Sequence, residues 1–277
     1  VGTYVSNGTD SNAHRVHLEA VRLDGNRSNQ TAGLGRGLQA NSNPLWAAST
    51  GDTGWDMLHR LVNVHIWNCR GDGFYGEGRS ENDLLLVYVR ECSGNGFAPS
   101  TDTQMTLCIS AVNGLSGFKI TNPSNRLDAC KAWWNGQITP SPGFQVNDVK
   151  YGATVFSSCE AQDNWGPGLS IESSQGVNFQ GGFDSNSRSS AGAWPAVDLW
   201  DARGNIITGT CVERRTTGGP YFQQNAIRIR SNSVGNWVHM THAYMDQSTP
   251  GSAVMSGSTT TNNRGSIATI SGTGASW

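Results

Sequence analysis

Short apolar runs alternate with turns rich in Gly, Asn and Ser along most of the chain, and no long segment shows helical periodicity. Short runs bounded by such turn residues are typical of β-strands. The runs are at 15–23, 61–67, 84–89, 153–156, 177–179, 205–208, 227–229 and 237–240. The pattern therefore predicts an all-β fold.

A Gly-Phe or Gly-Leu pair recurs after polar turns. The pairs end at Phe74, Phe97, Phe118, Phe144 and Leu169, which gives intervals of 23, 21, 26 and 25 residues. A period in the low twenties between strand-like runs is typical of a solenoid, in which each coil adds one strand to a stacked sheet. One coil cannot bury its inward residues alone, so these five side chains are expected to stack on successive coils.

A cysteine or glycine forms a second repeated feature. Cys69 and Cys92 each precede a repeat phenylalanine by five residues, and Cys130 and Cys159 each begin a Cys-x-Ala-x-x-Asn phrase. Thiols pack like small apolar groups, and parallel Cβ vectors on stacked coils suit disulfides poorly, so reduced, buried cysteines are expected. We expect one residue of this kind to point inward at the equivalent corner of each coil, forming a single ladder. Its members are Cys69, Cys92, Cys108, Cys130, Cys159, Gly182 and Cys211.

Composition supports a turn-rich solenoid. Glycine contributes 35 of the 277 residues and charged residues only 14%, against averages of about 7% and 25%. Because the repeat runs through most of the chain, we expect one domain over 1–277, with regular coils at 15–250 and an irregular C-terminal segment at 251–277. Roughly ten coils at ~4.8 Å each would form a rod about 50 Å long.

Charge and motifs exclude several classes of function. The formal charge of −2 gives no electrostatic case for nucleic acid, and no apolar run reaches the length of a membrane span. The glycines of 71–76 match a dinucleotide-binding pattern, but another polar turn follows them where that site needs a helix. Neither a cofactor nor a metal is expected. The chain is expected to begin inside a longer protein, from which a leader or anchoring domain has been removed.

The opening segments 16–26 (VHLEAVRLDGN) and 33–38 (GLGRGL) resemble the first coil of right-handed parallel β-helix proteins. The Cys-x-Ala-x-x-Asn and Gly-Phe phrases are similar to coils of the pectate-lyase-like superfamily, and most similar to those of bacteriophage tailspikes and polysaccharide depolymerases. The resemblance covers about 15–250 and implies a right-handed, single-stranded parallel β-helix. It carries no active residue, because no catalytic motif of pectate lyases, polygalacturonases or C5-epimerases is matched, including the Asp-Pro-His-Glu of the epimerases.

Ten tryptophans is a high number for a solenoid, whose interior favours smaller residues. Rigid indoles suit stacking on the apolar faces of sugar rings. Capping of the coil stack and contacts within an oligomer are the alternatives for each one. Tryptophans in polar or turn surroundings are the candidate glycan-binding residues: Trp133, Trp134, Trp165, Trp194 and Trp200.

Acidic residues cluster near three of the expected corners. Aligning Cys159, Gly182 and Cys211 places four carboxylates on the outer surface of consecutive coils, about 5–10 Å apart, which spans the separations used by glycosidases. Solvated surface acids are the alternative. The candidate catalytic residues are Glu160, Asp163, Asp184 and Glu213, with Arg214 and Arg215 beside them to hold a substrate carboxylate. Asp198 and Asp201 form a second acidic pair on another face.

Together these features predict a tailspike-like protein that binds a cell-surface polysaccharide and cleaves it as a glycoside hydrolase. A polysaccharide lyase is the first alternative, since Arg214 and Arg215 could serve an acidic sugar. A non-catalytic receptor-binding or structural spike is the second. Tailspike-like chains cover their exposed sheet faces by side-by-side assembly. A homotrimer outside the cell or on a phage tail is therefore expected, with a polysaccharide as partner.

Overall fold

The structure, a computed structural model, describes residues 17–30, 35–41, 59–77, 81–188, 194–213, 223, 225–245, 252–256, 262–267 and 270–271. One short 3-10 helix lies at Arg27–Asn29, and the other elements are strands. The strands are β1 His17–Glu19, β2 Arg22–Asp24, β3 Leu38–Asn41, β4 His59–Val62, β5 His65–Trp67, β6 Phe74–Glu77, β7 Asn82–Leu85, β8 Tyr88–Arg90, β9 Phe97–Ala98, β10 Thr103–Thr106, β11 Ile109–Ala111, β12 Phe118–Ile120, β13 Arg126–Asp128, β14 Lys131–Trp133, β15 Phe144–Asn147, β16 Thr154–Gln162, β17 Leu169–Glu172, β18 Val177–Asp184, β19 Val197–Trp200, β20 Ile206–Glu213, β21 Asn225–Arg230, β22 Trp237–Met245, β23 Ser252–Ser256, β24 Arg264–Ile267 and β25 Ile270–Ser271.

All pairings between these strands are parallel, and they form two sheets. Sheet A has 16 strands and two halves. The first half contains β4 and its equivalents on other coils, and the second half contains β5 and its equivalents. The long strands β16, β18, β20 and β22 run through both halves and join them. Sheet B has nine strands, in the order β23-β21-β19-β17-β15-β12-β9-β6-β3. The chain passes through the first half of sheet A, its second half and sheet B, and then begins the next coil. This is a solenoid of parallel strands, as the repeat predicts.

Single residues with left-handed backbone turn the chain at up to three corners of a coil, and the first of these corners is missing where β18, β20 and β22 run straight through both halves of sheet A. Their φ angles lie between 48° and 63° in each of three columns. The sequence runs at 61–67 and 84–89 were each predicted as one strand, but Asn63 and Leu86 break them into two. A single corner residue leaves the apolar pattern continuous, so the break is not visible in it. The corner between the halves of sheet A holds Asn63, Leu86, Leu107 and Ala129; the second holds Asn68, Glu91, Val112, Trp134, Asp163 and Ser185; the third, after sheet B, holds Asp102, Ser124, Asp148, Ser173 and Asp201.

The repeat phenylalanines form the inner column of sheet B. Phe74, Phe97, Phe118, Phe144 and Leu169 pair in register on successive strands, and all are fully buried. The rings of Phe97 and Phe118 stack with centroids 4.8 Å apart. The predicted stacking is confirmed.

The cysteines lie in separate columns, so the single predicted ladder is wrong. Cys69 and Cys92 occupy the second corner, whereas Cys108, Cys130 and Cys159 follow the first corner. Gly182 pairs with Glu160, and Cys211 pairs with Phe183, within strands. The two corners look alike in sequence because a small buried residue follows a left-handed one at both.

All six cysteines are nevertheless buried and unbridged, as expected. Burial raises the pKa of the Cys130 thiol well above its usual range. A thiol held in its protonated form is a poor nucleophile, so this residue serves as packing.

No helix among the described residues has the length and apolarity needed to cross a membrane. The single domain over 1–277 and the number of coils stay predictions, because parts of the chain lie outside the described residues.

Phe118→Ala should lower the free energy of unfolding by about 3–5 kcal/mol, because it removes a buried ring from the middle of the stack and leaves a cavity. Lys119→Ala, on the outward side of the same strand, is the matched control and should change it by less than about 0.5 kcal/mol. Denaturant unfolding measures both. Equal stability of the two variants would contradict the central role of the ring stack.

Candidate functional site

A column of buried amides fixes the second corner. The side-chain nitrogen of Asn113 donates to Asn135 at 2.9 Å, Asn135 donates to Asn164 at 3.0 Å, and Asn164 donates to Asn186 at 2.9 Å. The side chain of Asn135 also donates to the Ser110 carbonyl. Residues that immediately precede these asparagines, Trp134 and Asp163 among them, are therefore held at defined positions on the surface.

Two tryptophans lie side by side at this corner. Trp133 is the last residue of β14 and points outward, and Trp134 is the left-handed corner residue that follows it. Their ring centroids are 6.0 Å apart at an angle of 59°, and the residues are 36% and 37% exposed. The two rings together present an apolar platform to solvent.

An ion pair supports the second of these rings. The Arg188 guanidinium lies 4.7 Å from the centre of the Trp134 ring and donates to Asp163 Oδ1 at 2.9 Å. The Gln162 amide donates to the other carboxylate oxygen at 3.1 Å. Asp163 is the corner residue one coil beyond Trp134, so the carboxylate, the guanidinium and the indole form one connected group.

Strand register brings further polar side chains beside the tryptophans. Trp133 pairs with Gln162, and Gln162 pairs with Asp184. The backbone N–H of Asp163 donates to the Asp184 carbonyl at 2.9 Å. Asp184 also accepts the Ser185 hydroxyl at 2.7 Å.

One column away, Glu160 pairs in register with Lys131, and their side chains form an ion pair of 3.1 Å. The second half of sheet A thus carries an outward surface that we call the Trp133 face. It consists of Lys131, Trp133, Trp134, Glu160, Gln162, Asp163, Asp184 and Arg188.

The predicted arrangement of the four acids is only partly correct. Glu160, Asp163 and Asp184 come together on adjacent coils, but they occupy three different columns. Asp163 is only 8% exposed, and Glu213 is fully buried, where its carboxylate accepts the Gln223 backbone N–H. The placement of Glu213 on the outer surface was therefore wrong, whereas Asp163 lies at the outer corner with its carboxylate largely shielded by Arg188. The placement of Glu213 relied on Gly182 and Cys211 as corner residues, and both lie within strands.

The other candidate binding residues lie in different places. Trp165 is partly buried, and its backbone N–H donates to the Asn135 carbonyl at 2.9 Å, close to the Trp133 face. Trp194 lies before sheet B and contacts Arg228 rather than this face. Arg214 and Arg215 lie outside the described residues.

Sequence reasoning missed Lys131, Gln162 and Arg188. Lys131 and Gln162 follow the aligned cysteines of the Cys-x-Ala-x-x-Asn phrases, so that phrase carried a signal for them. Arg188 lies in the loop that follows β18, and nothing in the sequence pairs it with Asp163, 25 residues earlier.

The Trp133 face combines two kinds of chemistry. Indole rings stack against the apolar faces of sugars, and carboxyl groups are the groups that glycosidases use for acid and base catalysis. Strand spacing and the one-residue offset place the Asp163 and Asp184 backbones about 6 Å apart. Lys131 and Arg188 add positive charge to the same surface.

Comparison with solved structures identifies the fold. No protein-family model matches the chain, and neither does any curated protein. The A-module of the mannuronan C-5 epimerase AlgE6 of Azotobacter vinelandii has a TM-score of 0.61 at 16% identity, over 94% of this chain and 74% of that one. This structure and the two matches described below are right-handed parallel β-helices. The chain is a right-handed parallel β-helix.

Two further matches show the same β-helix fold. The A-module of the epimerase AlgE4 of the same organism gives a TM-score of 0.55 at 17% identity, over 93% of this chain and 70% of that one. The enzymatically active domain of bacteriophage CBA120 tailspike protein 2 gives 0.57 at 16% identity, over 88% of this chain and 40% of that one. The predicted fold class is confirmed. At such identities the likeness shows the fold alone.

Proposed function

We propose that this β-helix binds a polysaccharide across the Trp133 face and cleaves it as a glycoside hydrolase. The observation that carries the proposal is the adjacent Trp133 and Trp134 platform beside Asp163, Asp184 and Glu160. The similar structures support a polysaccharide substrate, because they are named as mannuronan epimerases and a tailspike enzymatic domain.

Hydrolysis needs two carboxyl groups with different roles. One gives a proton to the glycosidic oxygen, and the other attacks the sugar or activates water. Asp163 suits the second role, because Arg188 and Gln162 orient its carboxylate. Asp184 on the neighbouring coil is the proposed acid. Glu160 is the reserve, and the burial of Glu213 argues against a direct role.

A second candidate is binding without cleavage. Asp163 is largely buried under Arg188, and Glu160 is paired with Lys131. Both carboxylates would then serve to hold the cations and the Trp134 ring in place. This arrangement favours a receptor-binding spike.

A lyase is the third candidate. Lyases remove a proton beside a uronate whose charge a cation neutralises, and Lys131 and Arg188 supply cations on the Trp133 face. The products distinguish these activities. Hydrolysis creates a reducing end and a saturated non-reducing end, whereas β-elimination creates a reducing end and an unsaturated sugar with ultraviolet absorbance. A change of sugar configuration without new ends would indicate epimerisation.

Trp133→Ala and Trp134→Ala should each weaken polysaccharide binding by roughly five- to tenfold, because each removes one ring from the platform. Tyr151→Ala is the matched control, since this tyrosine is 80% exposed and lies outside the Trp133 face. Calorimetry with a capsular or lipopolysaccharide preparation selected by screening provides the measurement. Unchanged affinity in both tryptophan variants would exclude this platform.

Asp163→Asn and Asp184→Asn should each reduce cleavage at least about 100-fold while binding changes less than about threefold. Glu160→Gln should have a smaller effect. Asp148→Asn is the matched control, because Asp148 is also a left-handed, ion-paired corner aspartate but lies on another corner. Release of new chain ends is the readout. Full activity in all three variants would eliminate the site, whereas binding with no cleavage by the unmodified protein would favour the spike.

We also propose that the chain forms a homotrimer outside the cell or on a virion surface. Leu86 and Leu107 lie on successive coils at the first corner, 49% and 46% exposed, with Ile109 beside them at 38%. Exposed leucines in left-handed conformation have an energetic cost that packing against a neighbour would offset.

Light scattering should therefore give three times the chain mass of 29.6 kDa, and Leu86→Asp with Leu107→Asp should shift it to the monomer, because buried charges oppose association. Asp128→Asn, an exposed change on the same sheet, should leave it unaltered. A monomer across micromolar concentrations of the unmodified protein would contradict the trimer.

A further inference from the structure

A second cluster of charged and aromatic residues lies on the outward side of sheet B. Asp198 in β19 points outward, yet it is only 2% exposed. Arg228 lies next to Asp198 on the neighbouring strand, and Arg230 lies next to Trp200. We call this group the Asp198 site, made of Trp194, Asp198, Trp200, Arg228 and Arg230.

Both arginines bind the one carboxylate. Arg228 donates from Nε and Nη2 at 3.0 and 2.6 Å, and Arg230 donates from the same two atoms at 3.1 and 2.9 Å. One negative charge is thus matched by two positive ones, which leaves a net charge of +1. A guanidinium has five N–H donors, so each arginine has three that Asp198 does not use.

Indole rings lie against both guanidinium groups. Arg228 is 5.7 Å from the centre of the Trp194 ring, and Arg230 is 4.7 Å from that of Trp200. Trp200 is 42% exposed, whereas the Trp194 indole nitrogen is buried and has no acceptor among the described residues. The side chains of Arg228 and Arg230 are 24% and 33% exposed. The site therefore presents N–H donors and an apolar ring to solvent.

The neighbouring charges leave this positive charge in place. Glu172 pairs with Trp200, and Trp200 pairs with Arg230, so the backbones of Glu172 and Arg230 are two strand spacings, or about 10 Å, apart. Asp201 is occupied by Arg203 at 3.7 Å and by the Ser173 hydroxyl. On the other side of Arg228 and Arg230 the strand partners are Val254 and Ser256, which carry no charge.

We infer that the Asp198 site binds an oxyanion substituent of a sugar, such as a carboxylate or a sulfate, with the sugar ring against Trp200. Arg228 and Arg230 would donate to the oxyanion from the atoms that Asp198 leaves unused, because planar guanidinium donors match such groups in pairs. Asp198 holds both arginines in place before the ligand arrives, which lowers the entropic cost of binding. The inference concerns sheet B and does not depend on cleavage at the Trp133 face.

Three soluble polymers test the inference: hyaluronan carries carboxylates, dextran sulfate carries sulfates, and dextran is neutral. Calorimetry should show binding of at least one acidic polymer and none of dextran. Binding of hyaluronan alone would identify the ligand group as a carboxylate, and binding of dextran sulfate alone would identify it as a sulfate. Binding of both would show that the site accepts either oxyanion.

The decisive variant is Arg228→Lys with Arg230→Lys, which keeps the charge but removes the planar pairs of donors. It should weaken acidic-polymer binding about tenfold, whereas binding by charge alone would survive. Trp200→Ala changes an exposed residue and leaves Asp198 paired with both arginines, and it should weaken binding about fivefold. This variant tests the inference even if the lysine variant unfolds. Arg203→Gln is the matched control, because Arg203 is an exposed arginine nearby.

Unchanged affinity in the folded lysine variant or in Trp200→Ala, or equal binding of dextran and the acidic polymers, would overturn the inference. Trp133→Ala keeps the Asp198 site intact. Loss of acidic-polymer binding in that variant, with Trp200→Ala unaffected, would assign the binding to the Trp133 face instead.

Discussion

Hydrogen bonding between successive coils is the constraint on which this structure depends. Each pairing between the described strands is parallel and joins one coil to the next, so the strand backbone of a coil is hydrogen-bonded mainly to its neighbours. The corner amides obey the same rule, since Asn113, Asn135, Asn164 and Asn186 each bind the next in line. A residue is therefore fixed by its column more than by its sequence neighbours. Substitution at one coil acts on the coils at either side.

The inward column of sheet B could be predicted from the sequence because burial restricts it to few residue types. Phe74, Phe97, Phe118 and Phe144 share one column and one phrase, so their interval revealed the coil. Outward columns lack this restriction. Register there depends on turn length, and an error of one residue turns a side chain from one face to the other. The alignment that included Gly182 and Cys211 made this error, and it placed the buried Glu213 on the surface.

The candidate site was predicted in part for the same reason. Trp133 and Trp134 were found because paired indoles in polar surroundings are rare, whatever their register. The ion-pair partner of Asp163 could not be found, since Arg188 reaches it from a loop one coil away. Asp198 was visible as an acid in the sequence, but Arg228 and Arg230 lie one full coil later. Their convergence depends on the register between β19 and β21.

Both surfaces use the same physical device. A shielded carboxylate holds a guanidinium, and the guanidinium lies against an indole ring: Asp163, Arg188 and Trp134 on one surface, and Asp198, Arg230 and Trp200 on the other. Long side chains on a solenoid surface would otherwise be mobile, and immobilising them would weaken ligand binding. The carboxylate immobilises the arginine side chain when the protein folds, because hydrogen bonds between coils fix the position of the carboxylate. The backbone N–H of Trp194 in the Asp198 site donates to the hydroxyl of Ser187, which precedes Arg188 of the Trp133 face in the chain. A stack of rigid coils can thus present fixed aromatic rings and fixed cations together, and this is the combination through which we propose that it binds an acidic sugar chain.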